Sequence, residues 1–174
     1  VPAWSVAAWL FTTPAIAGAQ REAVLDLLQA FDERVGRADL AKLGAGVEAE
    51  LMGIADDPSV PTTRRGNAVV ALQWYPSDAV RSWLVARLRA RRDPGEDLLR
   101  RKAASALSAF GPSAVSELVP ALADADPQLR VAVARALGTI ADPAGRSALE
   151  ARLAIETEQV VRSALQDALQ VPLR

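Results

Sequence analysis

Residues 126–138 read DPQLRVAVARALG, and this stretch decides the fold. Asp126 can cap free helix amides, and Pro127 fits a first turn, where its missing N–H costs nothing. Leu129, Val133 and Leu137 then recur every four residues, one apolar stripe of a helix. The small residues between them, Ala132, Ala134 and Ala136, let neighbouring helices approach closely. The same pattern recurs as RRGNAVVAL ending at Leu72, as RRKAASAL ending at Leu107 and as VVRSALQDAL ending at Leu169. The matched leucines are 35, 30 and 32 residues apart, a period that marks a two-helix repeat with slightly variable loops.

Each of the first three runs is followed by a break and a second amphipathic segment. Tyr75, Phe110 and Ile140 close the first helices, and Pro76, Gly111 and Asp142-Pro143 interrupt them. Val80, Trp83, Leu84 and Leu88 then mark one second helix, and Val115, Leu118, Val119 and Leu122 another. Upstream, Val24, Leu27, Leu28 and Phe31 form a further stripe. Leu40, Leu43, Val47, Leu51 and Ile54 form its partner, loosened by Gly44, Gly46 and Gly53. The spacing predicts helices at 21–34, 38–55, 61–74, 78–90, 96–109, 113–123, 127–140, 144–154 and 157–170. One such pair cannot bury its stripe alone, so the units must stack. The expected fold is an all-α superhelix of about four and a half helix pairs, with residues 20–174 as one domain. The last helix is expected to cap the stack: Val161, Leu165, Ala168 and Leu169 share a face, and Gln159, Arg162, Gln166, Asp167 and Gln170 make up much of the rest. No further repeat is expected beyond Arg174.

Composition narrows the chemistry. Apolar residues at 51% and charged residues at 24% are the balance of a folded globular chain. There is no Cys and no His. That removes thiol nucleophiles, Ser-His triads, histidine acid–base chemistry and Cys/His zinc sites. The acidic pairs Asp56-Asp57 and Glu156/Glu158 are read as helix capping and helix-end charge rather than catalysis. No catalytic, cofactor-binding or metal-ligating residue is assigned, and no cofactor is expected. A net charge of −1 gives no general field for nucleic acid.

Residues 1–19, VPAWSVAAWLFTTPAIAGA, carry no charge and end in the small-x-small site Ala17-Gly18-Ala19. This is the layout of a secretory signal peptide cleaved after Ala19, although the usual basic start is missing. It implies a periplasmic or secreted protein. The opposing reading, a packed first helix, implies a cytoplasmic one. The run is too short and broken for a transmembrane span, and no other segment offers one.

The runs DPQLRVAVARALG and GPSAV (111–115) resemble HEAT repeats, most closely the short bacterial HEAT-like units of phycobilisome lyases. The resemblance covers about residues 56–170. It implies a right-handed superhelix with the second helices on its concave side. It also implies a role in binding proteins, less often chromophores or DNA. HEAT-like metal hydroxylases carry paired His-Glu motifs, which this chain cannot supply.

Two features single out candidate contact residues. Residues 81–102 hold eight bases and three acids, a net +5, whereas residues 1–57 hold four bases and nine acids, a net −5. Arg81, Arg89 and Arg92 are therefore candidates for an acidic peptide or phosphate, against the plainer reading of a solvated helix edge. Trp74 aligns with Ala109 and Thr139, positions tolerant of small or polar residues, and is a candidate contact or a partly packed side chain. The expected function is a non-catalytic scaffold, monomeric, that binds a protein partner with an acidic surface through its own concave or Arg-rich surface. The alternatives are a lyase-like enzyme acting on a bound chromophore and a nucleic-acid-binding module.

Overall fold

The computed structural model describes residues 14–29, 36–90 and 95–173. Among them there are helices and connecting turns and no strand. The α-helices are α1 (Pro14–Gln29), α2 (Arg37–Ala41), α3 (Val47–Asp56), α4 (Thr62–Ala71), α5 (Asp78–Leu88), α6 (Asp97–Leu107), α7 (Val115–Leu118), α8 (Pro127–Ile140), α9 (Pro143–Ile155) and α10 (Gln159–Gln170). Tighter 3₁₀ turns extend α4 through Leu72–Trp74, join α6 to α7 over Ser108–Ala114 and prolong α7 over Val119–Ala123. Paired as first and second helices, these are α1 with α2–α3, α4 with α5, α6 with α7, and α8 with α9, followed by the unpaired α10. That is the expected four and a half pairs.

The first helices stack in series: α4 on α6, α6 on α8, and α8 on α10. Their matched leucines, Leu72, Leu107 and Leu137, are buried, as is Leu28 on α1. The small residues permit this stacking. A Cβ at Gly138 would lie 2.8 Å from the Cβ of Ala168 and 2.9 Å from its Cα, so α8 and α10 meet at backbone contact there. Leu165 and Val161 of α10 are fully buried, whereas Ser163, Gln166, Asp167 and Gln170 face solvent. The outward face of the last helix is thus polar, as a capping helix requires.

Several boundaries depart from the spacing. The helix expected at 38–55 is two helices. Gly44 (φ +83°) and Gly46 (φ +91°) adopt left-handed backbone between them, a conformation that glycine reaches without a Cβ clash. The helix expected at 113–123 is one short α-turn between 3₁₀ segments. Gly111 (φ 60°, ψ −147°) lies in a region open essentially only to glycine, and Pro112 and Pro120 withhold amides from the regular pattern. Asp57-Pro58 does not start a helix: α4 begins at Thr62, and the Asp57 carboxylate instead accepts from the amide and hydroxyl of Ser59. Asp126 and Asp142 do cap, accepting from the amides of Gln128, and of Ala144 and Gly145.

The stretch read as a signal segment lies outside the described residues up to residue 13. From residue 14 the chain is helical, and Gln20 donates to the carbonyls of Leu43 (2.9 Å) and Ala45 (2.8 Å). By length and mean hydropathy alone, Asp97–Ala123 could cross a membrane. It is broken at Gly111, however, and its Leu107, Leu118 and Leu122 are buried in the core.

Candidate functional site

One element of the chain's polar architecture repeats with the fold. An Arg stands seven residues before the closing leucine of each first helix: Arg21 before Leu28, Arg65 before Leu72, Arg100 before Leu107, Arg130 before Leu137 and Arg162 before Leu169. That offset points the side chain along the first-helix layer, where it meets the loops on either side. Looking backward, Arg65 Nε donates to the Ala55 carbonyl (2.9 Å), Arg100 Nε to Leu88 (3.3 Å), Arg130 Nη1 to Asp124 (2.8 Å), and Arg162 Nη1 to Leu153 (3.2 Å) and Glu156 (2.9 Å). These carbonyls lie at or just past the C-terminal ends of second helices, which otherwise lack partners. Looking forward, Arg21 meets Asp57 (2.6 Å), Arg65 meets Glu96 (2.7 Å), Arg100 meets Asp124 (2.5 Å), and Arg130 grips Glu156 with Nε and Nη2 (2.8 and 2.9 Å). Each acid stands in the loop before the next first helix. Arg65, Arg100 and Arg130 are buried, so their charges need these partners.

Glu156 is the most enclosed member of this ladder, its side chain 1% exposed. Besides Arg130 it accepts from Arg152 Nε and Nη2 (2.9 and 2.7 Å) and from the amides of Thr157 and Glu158 (both 3.0 Å). Burial pushes its pKa up, but the hydrogen bonds from Arg130, Glu158 and Arg152 outweigh burial and hold the carboxyl down at about 2. Asp126 is lowered in the same way, burial being opposed and outweighed by Arg101 and by the Gln128 amide.

Four of the eight bases at 81–102 are paired within the chain, Arg100 as part of the ladder. Arg87 pairs with Asp56 and Glu96 while lying over the Trp83 ring, Arg100 with Asp97 and Asp124, and Arg101 with Asp126. Arg81 bridges α5 to the next unit through the Ser113 carbonyl (2.7 Å) and Glu117 (2.6 Å), while its Nε is buried without a partner among the described residues. Arg89 differs. It is exposed, and its side chain makes no hydrogen bond or ion pair among the described residues. Arg92 lies outside them.

Arg89 lines a cavity of about 220 Å³ between α5 and the 3₁₀ segment after α7, with Leu88, Arg100, Glu117, Pro120 and Asp124. Glu117 also lines an adjoining hollow with Asp78, Arg81, Ser82 and Val85. The two form a groove along α5, with Arg81 and Arg89 two helical turns apart. Trp74 does not line it: this side chain is half-buried, packed on the core at the far end of α5. Trp83 is likewise half-buried, and its indole N–H donates to Asp56 (3.0 Å). Among the described residues no cluster of three or more carboxylates could hold a metal ion.

Sequence reasoning treated the arginines as a charge run and missed their register. The signal was present as the constant seven-residue offset from the leucines.

Residues 90–170 match the family model for HEAT repeats. No curated protein matches the chain. Among solved structures, a chain from the complex of CpcE and CpcF of phycocyanin lyase from Nostoc sp. PCC7120 is similar at 18% identity and a TM-score of 0.64, covering 87% of this chain and 98% of that one. Human deoxyhypusine hydroxylase in complex with glycerol is similar at 24% identity and a TM-score of 0.58, covering 90% of this chain and 65% of its own. At these identities the likeness shows the fold alone. The repeat register, the helix stacking and the family match over residues 90–170 agree that the chain folds as an all-α, HEAT-like superhelix.

Proposed function

We propose that this chain is a non-catalytic scaffold that holds another protein, and that the groove along α5 takes an acidic segment of that partner. Arg89 carries the reading. It is the exposed cation of a groove in which Arg81 pairs with Glu117 and Arg100 with Asp124, and whose exposed acid, Asp78, stands at the opposite end of α5. A carboxylate entering there would meet a guanidinium with free donors, at the edge of an apolar floor of Leu88, Pro120 and Ala121. The HEAT-like fold supports the reading, since stacked helix pairs present extended surfaces to partners. So does the likeness to a chain that is part of a two-protein complex.

Arg89→Glu tests this without touching a structural pair, unlike reversal of Arg81, which would also break the contact to Glu117. With the partner captured from the native cell and purified, the variant should bind about tenfold more weakly at physiological salt. Its melting should not change, and the affinity of the unmodified chain should fall as salt rises. Equal affinity in both proteins would remove the groove from consideration.

A further inference from the structure

Two exposed charges of opposite sign stand on one stripe of α5 and mark the two ends of its groove. Asp78, Ser82, Val85 and Arg89 follow one another at steps of four, three and four residues, so they leave the helix in nearly one direction. Neither the Asp78 nor the Arg89 side chain makes a hydrogen bond or ion pair among the described residues. The helical rise places them about 16 Å apart. Between them the groove is matched in charge and partly apolar. Arg81 pairs with Glu117 and Arg100 with Asp124, Val85 is half-buried, and Leu88, Pro120 and Ala121 floor the Arg89 end. The hollow at the Asp78 end holds about 270 Å³ and the one at the Arg89 end about 220 Å³, and Glu117 lines both. Hollows of this size take single side chains, not a helix about 10 Å across.

We propose that the groove selects a partner segment of mixed charge: an extended stretch that sets an acid on Arg89, a base on Asp78 and an apolar side chain on Val85 between them. This rests on the reading of the groove as the partner-binding surface, and it gives the ligand a second charge of the opposite sign. In an extended chain alternate side chains share a face and each residue advances about 3.3 Å. An acid and a base four residues apart therefore lie about 13 Å apart on one face, and their own length spans the remainder. The pattern is acid, x, apolar, x, base, or its reverse. A segment with acids at both ends would set one of them against Asp78, and one with bases at both ends would set one against Arg89. An acid at the start of α5 and a base at its end also suit the helix dipole. The dipole asks only for the ends of the helix, whereas these two charges also share the stripe that faces the groove.

Three blocked peptides test the proposal: Ser-Glu-Ser-Leu-Ser-Lys-Ser, and the same peptide with Glu, or with Lys, at both charged positions. Each is titrated to millimolar concentration into the chain, with the Val85 methyls and the Arg89 side-chain N–H followed by NMR. The mixed peptide should bind about threefold tighter than either of the others, the margin of one exposed ion pair. That margin should shrink as salt rises. Asp78→Lys should pass the preference to the peptide with two Glu, and Arg89→Glu to the peptide with two Lys. Asp78→Ser, which puts no cation at the start of α5, should make the mixed and two-Glu peptides equal. If these residues serve the dipole alone, both charge reversals would lower the melting temperature and leave the order of the peptides unchanged, and the proposal falls. If the two-Glu peptide binds the unmodified chain as tightly as the mixed one, and Arg89→Glu weakens both, the mixed-charge ligand falls while the groove stands. Absence of shifts with all three peptides also overturns the proposal, and the groove itself is then judged by the captured partner.

Discussion

Replacing Glu156 with Gln would test the ladder at its most enclosed point. The carboxylate accepts six hydrogen bonds, four from two guanidinium groups and two from backbone amides, and water scarcely reaches it. A fall from the ordinary value of 4.5 to about 2 corresponds to about 3 kcal/mol of folding stability at neutral pH. The folded pKa lies below the unfolded one. The stabilisation is therefore complete above about pH 5 and is lost as pH falls from 4.5 toward 2. Glutamine keeps one acceptor but turns an NH₂ toward the two arginines, leaving Arg130 buried without its charge partner. The expected loss is about 3–5 kcal/mol at pH 7, from urea unfolding followed by circular dichroism. The gap between the two proteins should narrow steeply between pH 5 and pH 2.5. Replacing Arg130 and Glu156 together with Met should recover much of the loss, because no buried charge is then left alone. A loss under about 1 kcal/mol, or a gap that is the same at pH 7 and pH 2.5, would refute the argument.

Gly138→Ala should destabilise by about 1–3 kcal/mol despite its better helix propensity, because the new methyl meets the Ala168 backbone; thermal melting would show it. Ala141→Gly should stabilise by about 0.5–1 kcal/mol, since Ala141 ends α8 in the left-handed region (φ 56°); chemical denaturation at pH 7 would resolve a gain of that size. Leu165→Ala should cost about 2–5 kcal/mol by opening a cavity under α10, and hydrogen exchange should show whether the loss concentrates in α8 and α10.

The repeat was legible because its signal is local. Leu72, Leu107 and Leu137 recur within similar runs, and a stripe at spacings of three and four names its own secondary structure. Break positions were less legible. Gly44 and Gly46 were visible as weak points in a helix, but two left-handed residues flanking Ala45 separate two helices outright. At Asp57-Pro58 the familiar capping pair is present and unused, because Asp57 is drawn to Arg21 and Ser59 and helix formation waits for Thr62. The candidate site was read least well. The acids that neutralise Arg65, Arg100 and Arg130 lie 31, 24 and 26 residues away, so a linear tally of charge sees a basic stretch where the fold makes pairs. Arg89 kept its sequence-based standing as a candidate because none of those partners reaches it, whereas Trp74 is drawn into packing beside the core.

The ladder also alters how this molecule should come apart. In most stacked-repeat proteins a unit feels only its immediate neighbours, so an array can lose a terminal unit while the rest stays folded. Here Arg65 holds the end of α3 with one nitrogen and the start of α6 with another, and Arg130 spans from the loop before α8 to the loop before α10. Melting one unit therefore strands a cation in the next, and the penalty falls on a part of the chain that has not yet moved. Coupling of adjacent units through buried charge in this way suppresses fraying and sharpens the transition. The arginines act as tendons that make several weak units yield as one body.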